Sequence, residues 1–301
     1  KHLSQIEEES KINVFFEKRE WIKDKSKLLN FRFDFNPYNH VSKIEEMEDF
    51  YDYYYEFSEP FIFVPNIRKY RYIDSREKQS IIEIKDYLKF VDETYDILNF
   101  KNNKYIFVPI SLKVSANDMK ALVEHYVNKN YSHFWFDFEG NAITKTNLGR
   151  IRLFLRSLKK FDHFDNSVLH YTNINREIVT NQNMDETPAS DALSPIAGAN
   201  IVGVNRKPQR RMIGFVAPPS PNEHKYRLFN KDTYYYDKVM DRNLHKASLN
   251  SAINAVRLDN EFADQSNYFL NNDYEIETYL KRKRMLTDYR DGSVLVSLMK
   301  K

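Results

Sequence analysis

Apolar and polar positions alternate with a period of two in two of the short apolar runs of this chain, and with a period near 3.6 in the stretches between the runs. The short runs are rich in aromatic and β-branched residues. They predict strands at residues 29–36 (LNFRFDFN), 60–65 (PFIFVP), 105–112 (YIFVPISL), 133–140 (HFWFDFEG), 168–173 (VLHYTN), 200–205 (NIVGVN) and 212–217 (MIGFVA), with an eighth at 12–16 (INVFF). Residues 80–100 place Ile81, Ile84, Leu88, Val91, Tyr95 and Leu98 on one helical stripe. Residues 115–130 open on a capping serine, Ser115, and carry Met119, Leu122, Val123 and Tyr126 on one face. Residues 144–161 carry Leu148, Ile151, Leu155 and Leu158 on one face, with Arg150, Arg152, Arg156, Lys159 and Lys160 elsewhere.

Strand alternating with helix is the pattern of βαβ units and a parallel sheet. Up to eight such strands predict an α/β fold of the closed (β/α)8, TIM-like barrel type. The barrel is expected over residues 1–237, and a C-terminal helical extension packed on it over 238–301. Residues 181–195 read as a polar loop, and Pro218, Pro219 and Pro221 mark a further break. With six glycines in all and no Gly-rich turn after any strand, a dinucleotide-binding fold is not expected.

Composition narrows the chemistry. Lys and Arg total 46 against 43 Asp and Glu, so any nucleic-acid contact must come from a local basic patch. There is no cysteine, which excludes disulfides, thiolate metal sites and a Cys nucleophile. No apolar run approaches the roughly 18 residues of a membrane span, and the opening KHLSQIEEES lacks a signal-peptide stretch. A cytoplasmic protein without membrane contact is the expectation, with a leader ahead of Lys1 left open. HExxH and HxH do not occur, and no metal or other cofactor is expected.

Two strands share one pattern. Phe31, Phe33 and Phe35 alternate with Arg32, Asp34 and Asn36, and Phe134, Phe136 and Phe138 alternate with Trp135, Asp137 and Glu139. In a barrel the rings would face the helices and the polar groups the C-terminal mouth, where barrel enzymes place their active sites. Asp137, Glu139 and Asp34 are therefore the candidate catalytic carboxylates, as base, nucleophile or acid. Asp137 and Glu139 on one strand face would repel and split their pKa values. A solvated sheet edge is the plainer alternative. His170 and Asn173, near the end of their strand, are candidate substrate contacts or satisfied structural residues. Residues 205–211 (NRKPQRR) set Asn205, Arg206, Arg210 and Arg211 in a short basic run suited to phosphate, or simply to solvent. The run 281–284 (KRKR) reads as a solvated helix face. The tyrosines of 51–55 and 234–236 offer rings for base stacking, or for packing with their hydroxyls in water.

Residues 190–211, SDALSPIAGANIVGVNRKPQRR, followed by RLFNKDTYYYDKV, resemble the late barrel region of tRNA-guanine transglycosylases. That resemblance covers about a fifth of the chain. It implies a (β/α)8 barrel and base exchange at a glycosidic bond through a covalent Asp–ribose intermediate. It also implies an aromatic-rich helix start in the second segment. The family's nucleophilic Asp falls near Gly203, where there is no carboxylate. Its Asp-Ser-Gly-Gly pattern is missing, and its Cys-rich zinc site cannot form. Asp137 or Asp191 could supply a displaced carboxylate, and Asp191 is also a candidate substrate contact.

Three readings follow from the sequence. The first is a glycosyltransferase of the transglycosylase type acting on a nucleoside or nucleic acid. The second is a non-catalytic nucleic-acid-binding subunit of the same fold. The third is a barrel hydrolase or lyase for a small phosphorylated or sugar substrate.

Overall fold

A computed structural model describes residues 28–33, 47–67, 83–177, 185–204, 226–239, 247–272 and 275–287. In chain order its elements are β1 (Arg32–Phe33), α1 (Glu48–Glu56), β2 (Phe61–Phe63), β3 (Asn66–Ile67), α2 (Ile84–Leu98), β4 (Tyr105–Ser111), α3 (Ala116–Asn128), β5 (His133–Asp137) and α4 (Lys145–Lys160). There follow β6 (Val168–Ile174), β7 (Glu186–Pro188), β8 (Ile201–Val204), β9 (Tyr226–Asn230), β10 (Tyr235–Val239), α5 (Ala247–Asn271), α6 (Glu277–Leu280) and α7 (Arg284–Thr287). Among the described residues, no helix is long and apolar enough to cross a membrane.

The expected closed barrel does not form. Among the described residues the main sheet has five strands, in the order β2-β4-β5-β6-β8, with β2 paired parallel to β4 and β4 to β5. Two observations explain the difference. Arg32–Phe33, predicted as a barrel strand, pairs over only two residues with β3, apart from the main sheet. Further along, β9 and β10 are joined by a tight turn rather than a crossover helix, so they run antiparallel and form a separate sheet with β7. A barrel needs successive parallel strands joined by crossovers, and a hairpin cannot supply one. The expected strands at 12–16 and 212–217 lie outside the described residues.

The chain divides into two compact units, Lys1–Asp137 with Arg152–His170, and Phe138–Ile151 with Tyr171–Lys301. In the first unit β4 is buried at every position after Tyr105, as a parallel strand covered on both faces must be. Phe134 and Phe136 of β5 turn toward α4, each meeting Phe154 edge-to-face at 5.2 and 5.1 Å. Such pairs add about 0.5–1.5 kcal/mol each beyond the area they bury. Ser115 caps α3, accepting from the Asp118 N–H at 3.2 Å. The tyrosines of α1 are packed rather than displayed: Tyr51, Tyr54 and Tyr55 are buried, and the Tyr54 hydroxyl donates to Phe63 O at 2.8 Å.

In the second unit β10 lies between β7 and β9. The unpaired side of β9 is covered by side chains of α5. Asn254 accepts from the Phe229 N–H at 2.8 Å and donates to Arg227 O at 2.9 Å, and Arg257 donates to Phe229 O at 2.8 Å. The segment RLFNKDTYYYDKV is thus a β-hairpin and not a helix start, with Tyr234 at φ 61° closing its turn. The tyrosines Tyr234, Tyr235 and Tyr236 are buried.

Lys283 departs from the solvated face that the KRKR run predicts. It is buried, 3.4 Å from the fully buried Glu261, with its ammonium over the Tyr234 and Tyr279 rings at 4.7 and 4.2 Å. Glu261 also accepts from the hydroxyls of Tyr234 and Tyr279. One carboxylate therefore ties α5 to the hairpin turn and to the C-terminal helices. Glu261→Ala would strand a buried ammonium and is expected to cost about 3–5 kcal/mol in urea unfolding, with Glu261→Leu/Lys283→Met recovering most of that loss. A double variant as unstable as the single would show that the ion pair is not what Glu261 contributes.

Candidate functional site

In the first unit, β5 ends at Asp137, and strand alternation turns Asp137 away from Phe134 and Phe136. On the Asp137 side, Trp135 donates through Nε1 to Val64 O at 3.1 Å. The Asp137 carboxylate lies 3.4 Å from an Arg32 guanidinium nitrogen, and Arg32 remains 30% exposed while the Asp137 side chain is fully enclosed. Ser111, its register partner on β4, is also buried. This is a carboxylate–guanidinium pair at the C-terminal end of parallel strands, the end at which α/β folds bind ligands.

Glu139 does not share the Asp137 face as a strand residue. The strand has ended, and Glu139 sits in a turn at φ 53°. The pairing that matters for Asp137 is with a cation, not with a second carboxylate. Asp34 lies outside the described residues, as do Asn205, Arg206, Arg210 and Arg211.

His170 is buried against Phe63 and Phe107, with ring centroids at 5.0 and 6.0 Å. Neither ring nitrogen finds a hydrogen-bond partner among the described residues, and burial pushes its pKa down to about 4. It is a neutral ring in an aromatic setting. In the second unit, Asn173 takes a left-handed conformation at φ 55°, and its carbonyl accepts from the Gly140 N–H at 2.8 Å. Asp191 is fully buried and accepts from the Tyr236 hydroxyl at 2.7 Å. Burial raises its pKa to about 7, against the lowering effects of the Tyr236 hydrogen bond and the Arg176 charge.

At the opposite, N-terminal end of the first unit's strands lies a feature the sequence reading missed. Phe61 opens β2 and Tyr105 opens β4, and the two are register partners with ring centroids 5.9 Å apart. His133 opens β5, with its ring 5.3 Å from that of Tyr105. Burial lowers the His133 pKa, which keeps this ring neutral too. Among the described residues of this unit, the large hydrophobic side chains left exposed are Phe100, Tyr105, Phe161 and Phe164, all aromatic and all in or beside the loops that lead into strands. The signal was present, since each ring precedes or opens a predicted strand. Its meaning needed the register that sets neighbouring strands side by side.

No family model, curated protein or solved structure matches this chain. Among the described residues, no group of three or more His, Cys, Asp or Glu is placed to hold a metal ion.

The buried state of His170 is open to a pH test. Below the ordinary imidazole value near 6.5, the unfolded chain takes up a proton that the folded chain refuses until about pH 4. Stability is therefore lost as pH falls through that window. His170→Phe removes this contribution. Its stability relative to the parent protein, measured by urea unfolding, is expected to be about 2 kcal/mol more favourable at pH 5 than at pH 7. An unchanged difference would place a hydrogen-bond partner on the imidazole.

Proposed function

We propose that this chain is a non-catalytic nucleic-acid-binding protein, the second of the readings its sequence allows. The observation that carries this is helix α4. Over sixteen residues it bears Lys145, Arg150, Arg152, Arg156, Lys159 and Lys160 and no Asp or Glu. Arg156, Lys159 and Lys160 are exposed. Burial, and then the charge of Arg156, press Arg152 below the usual guanidinium range, as expected where cations gather along one helix. In a chain whose net charge is only +3, this is the local basic patch that binding to phosphates requires. Burial of candidate groups adds support: the carboxylate Asp137 and the candidate substrate contacts His170 and Asp191 are 2%, 2% and 0% exposed. The basic run at 205–211 is a further candidate for phosphate contact.

Binding of a fluorescein-labelled, mixed-sequence RNA should weaken as KCl rises. Three phosphate contacts correspond to a slope of log K on log salt of roughly −2. Replacing Arg156, Lys159 and Lys160 together with Ala should flatten that slope toward zero. No binding at low salt, or binding indifferent to salt, would overturn the reading.

One observation favours a second reading, base exchange at a glycosidic bond. It is the position of Asp137 at a strand C-terminus beside a partly exposed guanidinium. On that reading the protein incorporates labelled guanine into tRNA, and Asp137→Asn abolishes incorporation. The variant is also expected to lose stability, since it leaves the Arg32 charge without its carboxylate. A parent protein that incorporates no guanine would remove this reading and leave the binding reading intact.

A further inference from the structure

We infer that the N-terminal edge of the first unit's sheet is a stacking surface for the bases of single-stranded nucleic acid. This deepens the nucleic-acid-binding reading and rests on it. It adds which form of nucleic acid is taken and where the bases go.

The surface is built from three neighbouring strands. Phe61, Tyr105 and His133 stand side by side at successive ring separations of 5.9 and 5.3 Å. Tyr105, the middle ring, is 55% exposed, although the next six residues of its strand are buried. A tyrosine at that position with no burial to gain suits a contact made outside the chain. Phe161 and Phe164 are exposed on the loop that follows α4. That loop is fixed beside the start of β5, because His163 donates to Tyr131 O at 2.8 Å and the Val168 N–H donates to Ser132 O at 2.8 Å. The cationic end of α4 therefore runs directly into the aromatic edge, with Lys160 Nζ 5.9 Å from the Phe161 ring centre. A second cation lies on the other flank, where Lys101 Nζ is 5.0 Å from the Phe100 ring centre.

Cations that follow a backbone beside rings that accept bases are the two parts of a single-strand site. Duplex would use only the first part, because its bases are stacked on one another and present no free face. The edge is not uniformly positive: Asp162 and Asp165 are exposed in the same loop and Glu59 lies near Phe61. Few phosphates can therefore be neutralised here, and stacking must supply a large share of the affinity. This separates the surface from a simple cationic face, which would bind any polyanion in proportion to its charge.

The test compares a labelled 12-nucleotide single strand with the duplex of the same sequence, by anisotropy, for the parent protein, Tyr105→Ala and Tyr105→Phe. Stacking on a lost ring corresponds to a roughly five- to 150-fold weakening by alanine substitution. That loss is expected for the single strand with Tyr105→Ala, with affinity kept by Tyr105→Phe and duplex binding little altered. Tyr105 is exposed, so the circular dichroism spectrum should be unchanged in both variants. Equal affinity of Tyr105→Ala and parent for the single strand overturns the inference but not the binding reading. Equal affinity of the parent for single strand and duplex does the same. Loss of binding to both forms in the parent removes both. Concentration-dependent self-association abolished by Tyr105→Ala, with no oligonucleotide binding, would assign the edge to a second copy of the chain and overturn the inference.

Discussion

Parallel strands covered on both faces leave only their ends for chemistry, and this constraint organises the first unit. β4 has no open face: Ile106, Phe107, Val108 and Ile110 are all buried, and β5 places Phe134 and Phe136 against α4 while Trp135 is sealed on the other side. Polar and exposed groups are thereby pushed to the two margins. At the C-terminal margin is the Asp137–Arg32 pair, and at the N-terminal margin the row of Phe61, Tyr105 and His133. The two margins differ in kind. One holds a buried carboxylate against a partly exposed guanidinium, and the other leaves the Tyr105 ring exposed.

That difference bears on function. A carboxylate buried against a partly exposed guanidinium is well placed to lock β1 to β5 across 105 residues of chain. The same geometry that made Asp137 an attractive candidate in the sequence, a polar residue closing a strand, serves structure equally well. Fold position alone does not assign a role.

Much of the first unit was legible in the sequence. The strands at 105–111, 133–137 and 168–174 follow from apolar runs, and the helix after Ser115 follows from its cap and its stripe. What was not legible depends on which strands become neighbours. Strand count suggested closure, but nothing in the local pattern says that 32–33 pairs with 66–67 or that 226–239 folds back on itself. The position of Glu139 was not legible for a related reason. Alternation was extended through Glu139, where one residue at φ 53° ends it. Lys283 shows the same limit, since a KRKR run carries no sign that its third cation will lie between two tyrosine rings.

The cover that α5 lays over β9 has a consequence for the protein in a crowded solution. An uncovered strand edge offers a row of donors and acceptors on which another chain can assemble, and successive additions lead to fibrils. Asn254 and Arg257 already occupy the Phe229 N–H and the carbonyls of Arg227 and Phe229. An incoming strand would have to displace amide and guanidinium groups that are held by a 25-residue helix. Resistance to aggregation at this edge is therefore carried by two side chains of a helix rather than by the composition of the strand itself.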